Sequence, residues 1–219
     1  MGSVSNVGVL DKALAVLRAV ERDGPSGLAE LTASTGLPRA TAHRLAAALE
    51  QHGLVRRDAG GRWCLGLALV GLGDAASASF PLADLARPIL VALRDDTGES
   101  VQLFVREGDG RRCVVSLQSP HGLRWIVPEG ALLPLHVGSA GRLLCGELGP
   151  AGWVESVEER EPGVASVSAP VIEAGGRMLA AVSVSGPVER LSRQPGARYG
   201  DAAVAAAAAV ALASATVPA

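Results

Sequence analysis

Apolar positions return at helical spacing three times in the first fifty residues. The run Val9-Leu10-Asp11-Lys12-Ala13-Leu14-Ala15-Val16-Leu17-Arg18-Ala19-Val20 predicts a first helix. Leu28-Ala29-Glu30-Leu31-Thr32-Ala33-Ser34-Thr35 predicts a second, closed by a Gly36-Leu37 turn. Pro38 follows at a first helical position, where its missing N–H costs nothing. A third helix runs from Arg39 to Glu50 and turns Ala42, Leu45, Ala46 and Leu49 inward. Its outer, N-terminal part carries Arg39, Ala40, Thr41, His43 and Arg44, where a recognition helix meets base edges and phosphates. Next, Val55-Arg56-Arg57-Asp58 and Arg62-Trp63-Cys64-Leu65-Gly66 flank Gly60-Gly61, which predicts a β-hairpin placed as a wing.

Beyond the hairpin the pattern changes. Leu67 to Ser79 predicts a connecting helix softened by Gly71 and Gly73, and Phe80-Pro81 breaks it. The expected division is therefore a reader over 1–66, a linker helix over 67–80 and a second domain over 81–219. Leu82 to Arg94 predicts an amphipathic helix ending near Thr97-Gly98, with the glycine suited to a C-cap. Ser100 to Val105 and Arg112 to Leu117 predict a hairpin turning at Gly108-Asp109-Gly110, and Leu123 to Val127 a third strand. A short helix is expected over Ser139 to Cys145. A second hairpin is expected from Val164 to Val171 and Leu179 to Ser185, and a terminal helix from Gly196 to Ser214. This half reads as α+β, a mostly antiparallel sheet with helices on one face.

The net charge of −2 over 219 residues hides an uneven distribution. Residues 1–66 hold eight Lys and Arg against six Asp and Glu; the remainder holds twelve against sixteen. Between Pro38 and Arg62 there are five arginines and two acids, Glu50 and Asp58, so positive charge concentrates at the predicted reader. Arg39, Thr41, His43 and Arg44 are the candidate major-groove contacts, and Arg56, Arg57 and Arg62 the candidate phosphate or minor-groove contacts. The expected partner is double-stranded DNA.

Cys64, Cys113 and Cys145 form no C-x-x-C, and an odd count without a secretory signal predicts reduced thiols in a cytoplasmic protein. No apolar run is long enough for a bilayer, so no membrane partner is expected. His43, His52, His121 and His136 lack metal-pair spacing, Glu158-Glu159 reads as a solvated pair, and no helix follows Gly108-Asp109-Gly110 to cradle a phosphate. Neither catalysis nor a cofactor is expected.

With these residues in place, the chain resembles the IclR family of bacterial transcriptional regulators. The likeness is carried by Gly36-Leu37-Pro38-Arg39-Ala40-Thr41-Ala42-His43-Arg44-Leu45, by the winged Gly61-Arg62-Trp63-Cys64-Leu65-Gly66 and by Thr97-Gly98-Glu99-Ser100. Leu133-Pro134-Leu135-His136, Ser139 to Leu144, Glu158 to Val164 and Ala181 to Pro187 continue it. The phrases EREPGVASVSAPV and VSVSGPVERL resemble an actinobacterial branch linked to amino-acid metabolism, including leucine biosynthesis. The resemblance implies a winged helix–turn–helix joined to a GAF-like effector domain, assembled as a dimer or dimer of dimers on a pseudo-palindromic operator. It also implies a small organic acid or amino-acid-related effector. The pocket would be lined by Leu123 and Trp125, backbone N–H groups of Ser139 and Ala140, and hydroxyls of Ser156, Ser166, Ser183 and Ser185.

The chain departs from the family pattern in one stretch. Only Gly146-Glu147-Leu148-Gly149-Pro150-Ala151 joins Cys145 to Gly152, too little for the helices the family carries there, and Ser156 stands where the family has an acidic pocket residue. Two outcomes stay open from the sequence: a ligand-gated regulator, or a ligand-blind paralogue acting by occupancy alone.

Overall fold

The structure, a computed structural model, describes residues 8–78 and 81–215 and forms two compact units, Met1–Phe80 and Pro81–Ala219. The N-terminal unit packs α1 (Gly8–Asp23), α2 (Leu28–Thr35) and α3 (Arg39–Gln51) around Val16, Val20, Leu31, Leu45 and Leu49. Glu30 turns back to accept the Gly27 N–H at 2.5 Å, opening α2, and Gly36 at φ +67° closes it with its N–H on the Thr32 carbonyl. The wing strands β1 (Val55–Arg57) and β2 (Trp63–Leu65) pair antiparallel, and Ser26 bridges to Trp63. A Cβ on Gly66 would lie 1.9 Å from the Gly53 carbonyl oxygen, so only glycine lets the wing return onto the end of α3. Helix α4 (Ala68–Ala78) follows; Ser79 and Phe80 of the expected linker lie outside the described residues.

The C-terminal unit is one six-stranded antiparallel sheet in the order β5-β4-β3-β8-β7-β6. Its strands are β3 (Ser100–Glu107), β4 (Gly110–Leu117), β5 (Leu132–Pro134), β6 (Val154–Val157), β7 (Val164–Ile172) and β8 (Met178–Pro187). Alternation decides what each face buries. Val101, Leu103, Val167, Ala169, Val182 and Val184 meet α5 (Leu82–Thr97) and α8 (Pro195–Ser214). Phe104, Cys113, Val154 and Ala181 meet α6 (Ser139–Leu144) on the other face. Helices therefore cover both faces, which corrects the one-sided layering expected from the sequence. Trp153 sits in a notch of α8, where a Cβ on Gly196 or Gly200 would fall 2.1 or 2.4 Å from its ring. A four-residue helix, α7 (Val188–Leu191), precedes α8 and places Arg190 against buried Glu99 in two hydrogen bonds of 2.6 and 2.8 Å.

Two strands differ from expectation. Residues 123–127 form no strand; the third pairing on that edge is β5, matched to β4 through Arg111↔Leu133. The stretch lies in a loop between Pro120 and Pro128. Strand β6 was not signalled, because Val154-Glu155-Ser156-Val157 is too short to stand out and is ordered by β7. The short crossing at 146–151 is pinned by Arg142, which pairs with Glu147 and Glu159 and also donates to the Glu155 carbonyl at 3.2 Å. Those bonds, led by the one to Glu147, hold the Arg142 guanidinium above its usual range.

Candidate functional site

Helix α3 spends one face on the core, so Arg39, His43 and Arg44 project into solvent with Thr41 half-buried beside them. Among the described residues, Arg39, Arg44 and Arg56 form no ion pair, which leaves three solvated arginines on the recognition helix and wing. The other two wing arginines are engaged. Arg57 donates to Glu50 at 3.3 Å and to the Gly61 carbonyl at 2.9 Å, with its guanidinium 4.1 Å from the centre of the Trp63 ring. Arg62 pairs with Asp58 at 3.1 Å. The Asp58 carboxyl lies below its usual range, first because it accepts the Arg62 backbone N–H.

Trp63 ties these parts together. It is buried, donates to Glu50 at 3.4 Å and meets the His43 ring edge-on at 5.8 Å. One indole thus fixes the wing against the recognition helix. Sequence reasoning grouped Arg56, Arg57 and Arg62 as equivalent phosphate anchors, and the two acids in the same stretch are what divide them.

A second candidate site lies on the α6 face of the sheet. Register brings polar residues into two rows: Ser156–Ser166–Ser185–Ser100 and Ser168–Ser183–Gln102–Ser116. Most of these side chains are buried, so they are interior groups and not solvent-facing decoration. The Ser139 hydroxyl lies 2.7 Å from that of Ser166 and 2.8 Å from that of Ser168. Of the expected lining, Trp125, Ser139, Ala140, Ser156, Ser166, Ser183 and Ser185 surround one cavity of about 40 Å³. Leu123 does not join them; it is 71 % exposed, because its loop turns it outward and gives its carbonyl to Arg190 at 2.8 Å.

Residues that sequence reasoning missed complete the wall. Gln102 and Phe104 come from β3, Arg111 from β4 and Arg160 from the loop before β7. Arg111 is buried, gives Nη1 to the Val137 carbonyl at 2.7 Å and also to the Pro134 carbonyl, and lies over the Phe104 ring. A Cβ on Gly141 would fall 2.2 Å from that guanidinium, so the glycine makes room for it. Burial, reinforced by Arg160, brings the Arg111 guanidinium down to about 10. Arg160 stacks over Trp125 at 4.7 Å at the cavity wall. The i, i+2 polar spacing of Ser100 and Gln102 matches Ser166/Ser168 and Ser183/Ser185, and was the available signal.

Residues 9–59 match the profile of the IclR helix–turn–helix domain, and residues 75–151 and 147–212 match that of the bacterial transcriptional regulator IclR C-terminal domain. The chain belongs to the IclR family. It is a DNA-binding transcriptional regulator, not an enzyme. The two segments of the C-terminal match meet at 147–151, within the short crossing.

The chain is similar to transcriptional repressor IclR of Escherichia coli, 26 % identical with 88 % of this chain and 84 % of that protein covered. It is also similar to the glycerol operon regulatory protein of Streptomyces coelicolor, 29 % identical with 86 % and 88 % covered. In fold it matches Thermotoga maritima IclR (TM-score 0.71, 21 % identity, 94 % and 98 % covered). It also matches an IclR homologue from Microbacterium hydrocarbonoxydans solved with 4-hydroxybenzoate (TM-score 0.77, 20 % identity, 94 % and 99 % covered). No helix among the described residues is long and apolar enough to cross a membrane.

Proposed function

We propose that this regulator binds a pseudo-palindromic operator as a homo-oligomer, and that a small organic acid in the sheet cavity sets its affinity. Arg39, Thr41, His43 and Arg44 read the major groove, and Arg56 meets the backbone beside them. Arg57 and Arg62 act by holding the wing in place. The observation that carries the effector half is the cavity itself, polar-lined and present despite the short 146–151 crossing. A relative solved with an aromatic acid supports an acid as the ligand class. The likeness to the amino-acid-metabolism branch points to the carbon skeletons of that metabolism as the source.

The test is fluorescence anisotropy against DNA upstream of its own gene and a scrambled control, at fixed salt, with and without a panel of organic acids and amino acids. The expected result is tight, sequence-dependent binding that one acid shifts by about 5- to 150-fold, the usual span of an allosteric coupling. The shortened crossing favours one second reading, a ligand-blind regulator acting by occupancy. Tight binding that no compound moves would establish it.

A further inference from the structure

Five arginines lie between Pro38 and Arg62, and the two acids of that stretch, Glu50 and Asp58, each hold one of them. Glu50 sits in the last turn of α3 and aims Oε2 at the wing. That one oxygen accepts Arg57 Nε at 3.3 Å and Trp63 Nε1 at 3.4 Å. Arg57 is held on two further sides, by the Gly61 carbonyl on Nη1 at 2.9 Å and by the Trp63 ring, 4.1 Å from its guanidinium. Asp58 engages the arginine across the turn. Its Oδ1 accepts the Gly60 and Arg62 N–H groups, each at 2.9 Å, and its Oδ2 accepts Arg62 Nε at 3.1 Å.

The charges of these acids do little for the fold. The Glu50 and Arg57 side chains are 35 % and 40 % exposed, and ion pairs that open to water contribute little stability. The wing turn also closes through its backbone, with the Gly61 N–H on the Asp58 carbonyl at 3.0 Å and the Asp58 N–H on the Arg62 carbonyl at 2.9 Å. What the two carboxylates change is the charge that a DNA backbone meets. A guanidinium facing phosphate adds affinity that carries no sequence information. A phosphate that took Arg57 from Glu50 would leave a bare carboxylate beside a polyanion, so the exchange returns little. Arg39, Arg44 and Arg56 have no such competitor among the described residues.

We infer that Glu50 and Asp58 withhold Arg57 and Arg62 from the phosphates. Three arginines of the five then set the sequence-blind affinity, and base contacts from α3 carry a larger share of the total. Both acids are positioning residues that act through their arginines. Neutralising either one tightens binding to any DNA, the opposite of what losing a structural brace does. The inference rests on the proposed reading in placing the wing at the DNA backbone. It goes further in naming what limits the grip there.

The test is fluorescence anisotropy of the full chain on the upstream duplex and on a scrambled duplex, from about 50 to 200 mM salt. Glu50→Gln keeps an oxygen for Trp63 and Arg57 and removes the charge. It is expected to bind both duplexes more tightly than the native chain at low salt. Its plot of log affinity against log salt should steepen by about 0.9, the slope of one added phosphate contact, so the advantage falls about threefold across the series. Asp58→Asn keeps an oxygen for the turn N–H groups and is expected to act in the same direction through Arg62, which gives an independent reading should Glu50→Gln not fold. In an Arg57→Ala background the gain from Glu50→Gln should vanish. Weaker binding or an unchanged slope in a folded variant overturns the inference for that acid. A gain that persists without Arg57 also overturns it, since Glu50 would then act as a plain repulsive charge. Arg56→Ala separates this failure from that of the wing reading. A flattened slope in Arg56→Ala with no steepening in Glu50→Gln or Asp58→Asn overturns the inference alone; a slope unmoved in all three overturns both.

Discussion

The two units use arginine in opposite ways. On the reader, Arg39, Arg44 and Arg56 stand in solvent without an ion pair among the described residues, while in the second unit Arg111 is buried and clamped by carbonyls. A solvated guanidinium attracts any phosphate, and its effect fades with salt as counterions compete. A desolvated one has lost its water and discriminates among the few groups that fit beside it. Arg57 and Arg62 sit between these cases. They face solvent, but Glu50 and Asp58 have already taken them. A count of arginines near a motif therefore overstates the charge available to a partner, and burial and pairing decide what each does.

The largest expected effect tests how the reader is held. Trp63→Ala removes the indole shared by His43, Arg57 and Glu50 and is expected to cost about 3–5 kcal/mol of reader stability, as core aromatic truncations do. Urea denaturation followed by circular dichroism measures it, and a loss below 1 kcal/mol would deny Trp63 that role. The corresponding test in the second unit is the buried Glu99–Arg190 pair, with Glu99 2 % exposed. Glu99→Gln leaves Arg190 without its carboxylate and is expected to cost about 3 kcal/mol, the low end for a broken buried pair because Arg190 remains partly solvated. Unaltered urea stability would show that solvent screens this pair.

Smaller effects separate the free arginines from the braced ones. Arg44→Ala is expected to cost about 1–3 kcal/mol on the preferred sequence and to relax preference at one base pair. Arg56→Ala should weaken all sequences alike and lower the salt slope by about one unit. Arg57→Ala should change that slope less, because Glu50 already neutralises part of its charge. An equal slope change in both wing variants would erase the distinction drawn between them. Smallest is the thiol chemistry. Burial raises the Cys113 thiol to about 12 and Cys145 is exposed, so a polar thiol reagent should modify Cys145 promptly and Cys113 only after denaturation.

The reader was legible almost residue by residue because its signals are local. Gly36, Pro38 and the Gly60-Gly61 turn mark ends that sequence neighbours enforce, and α3 begins at Arg39 as its pattern predicts. The sheet was legible as hairpins but not as an order. Nothing near Ser100 announces that β3 lies beside β8, since that pairing runs from Phe104↔Ala181, 77 positions apart, to Ser100↔Ser185, 85 positions apart. The same distance hid half of the cavity. Ser166, Ser183 and Ser185 stood out as serines, whereas Gln102 and Arg111 gain meaning only once register sets them on the inward face. The stretch at 123–127 misled because apolar residues in a loop and in a strand look alike without their partners.

The proposed function couples the cavity of the C-terminal unit to DNA affinity at the reader. The most direct test is a two-by-two anisotropy measurement at fixed salt on the preferred DNA, comparing the native chain with Gln102→Glu, each with and without the panel of organic acids. The expected result is that one acid shifts the native affinity by about fivefold or more and shifts that of the variant by less than half as much on a logarithmic scale. Equal shifts in both proteins, or no shift in the native chain, would contradict it.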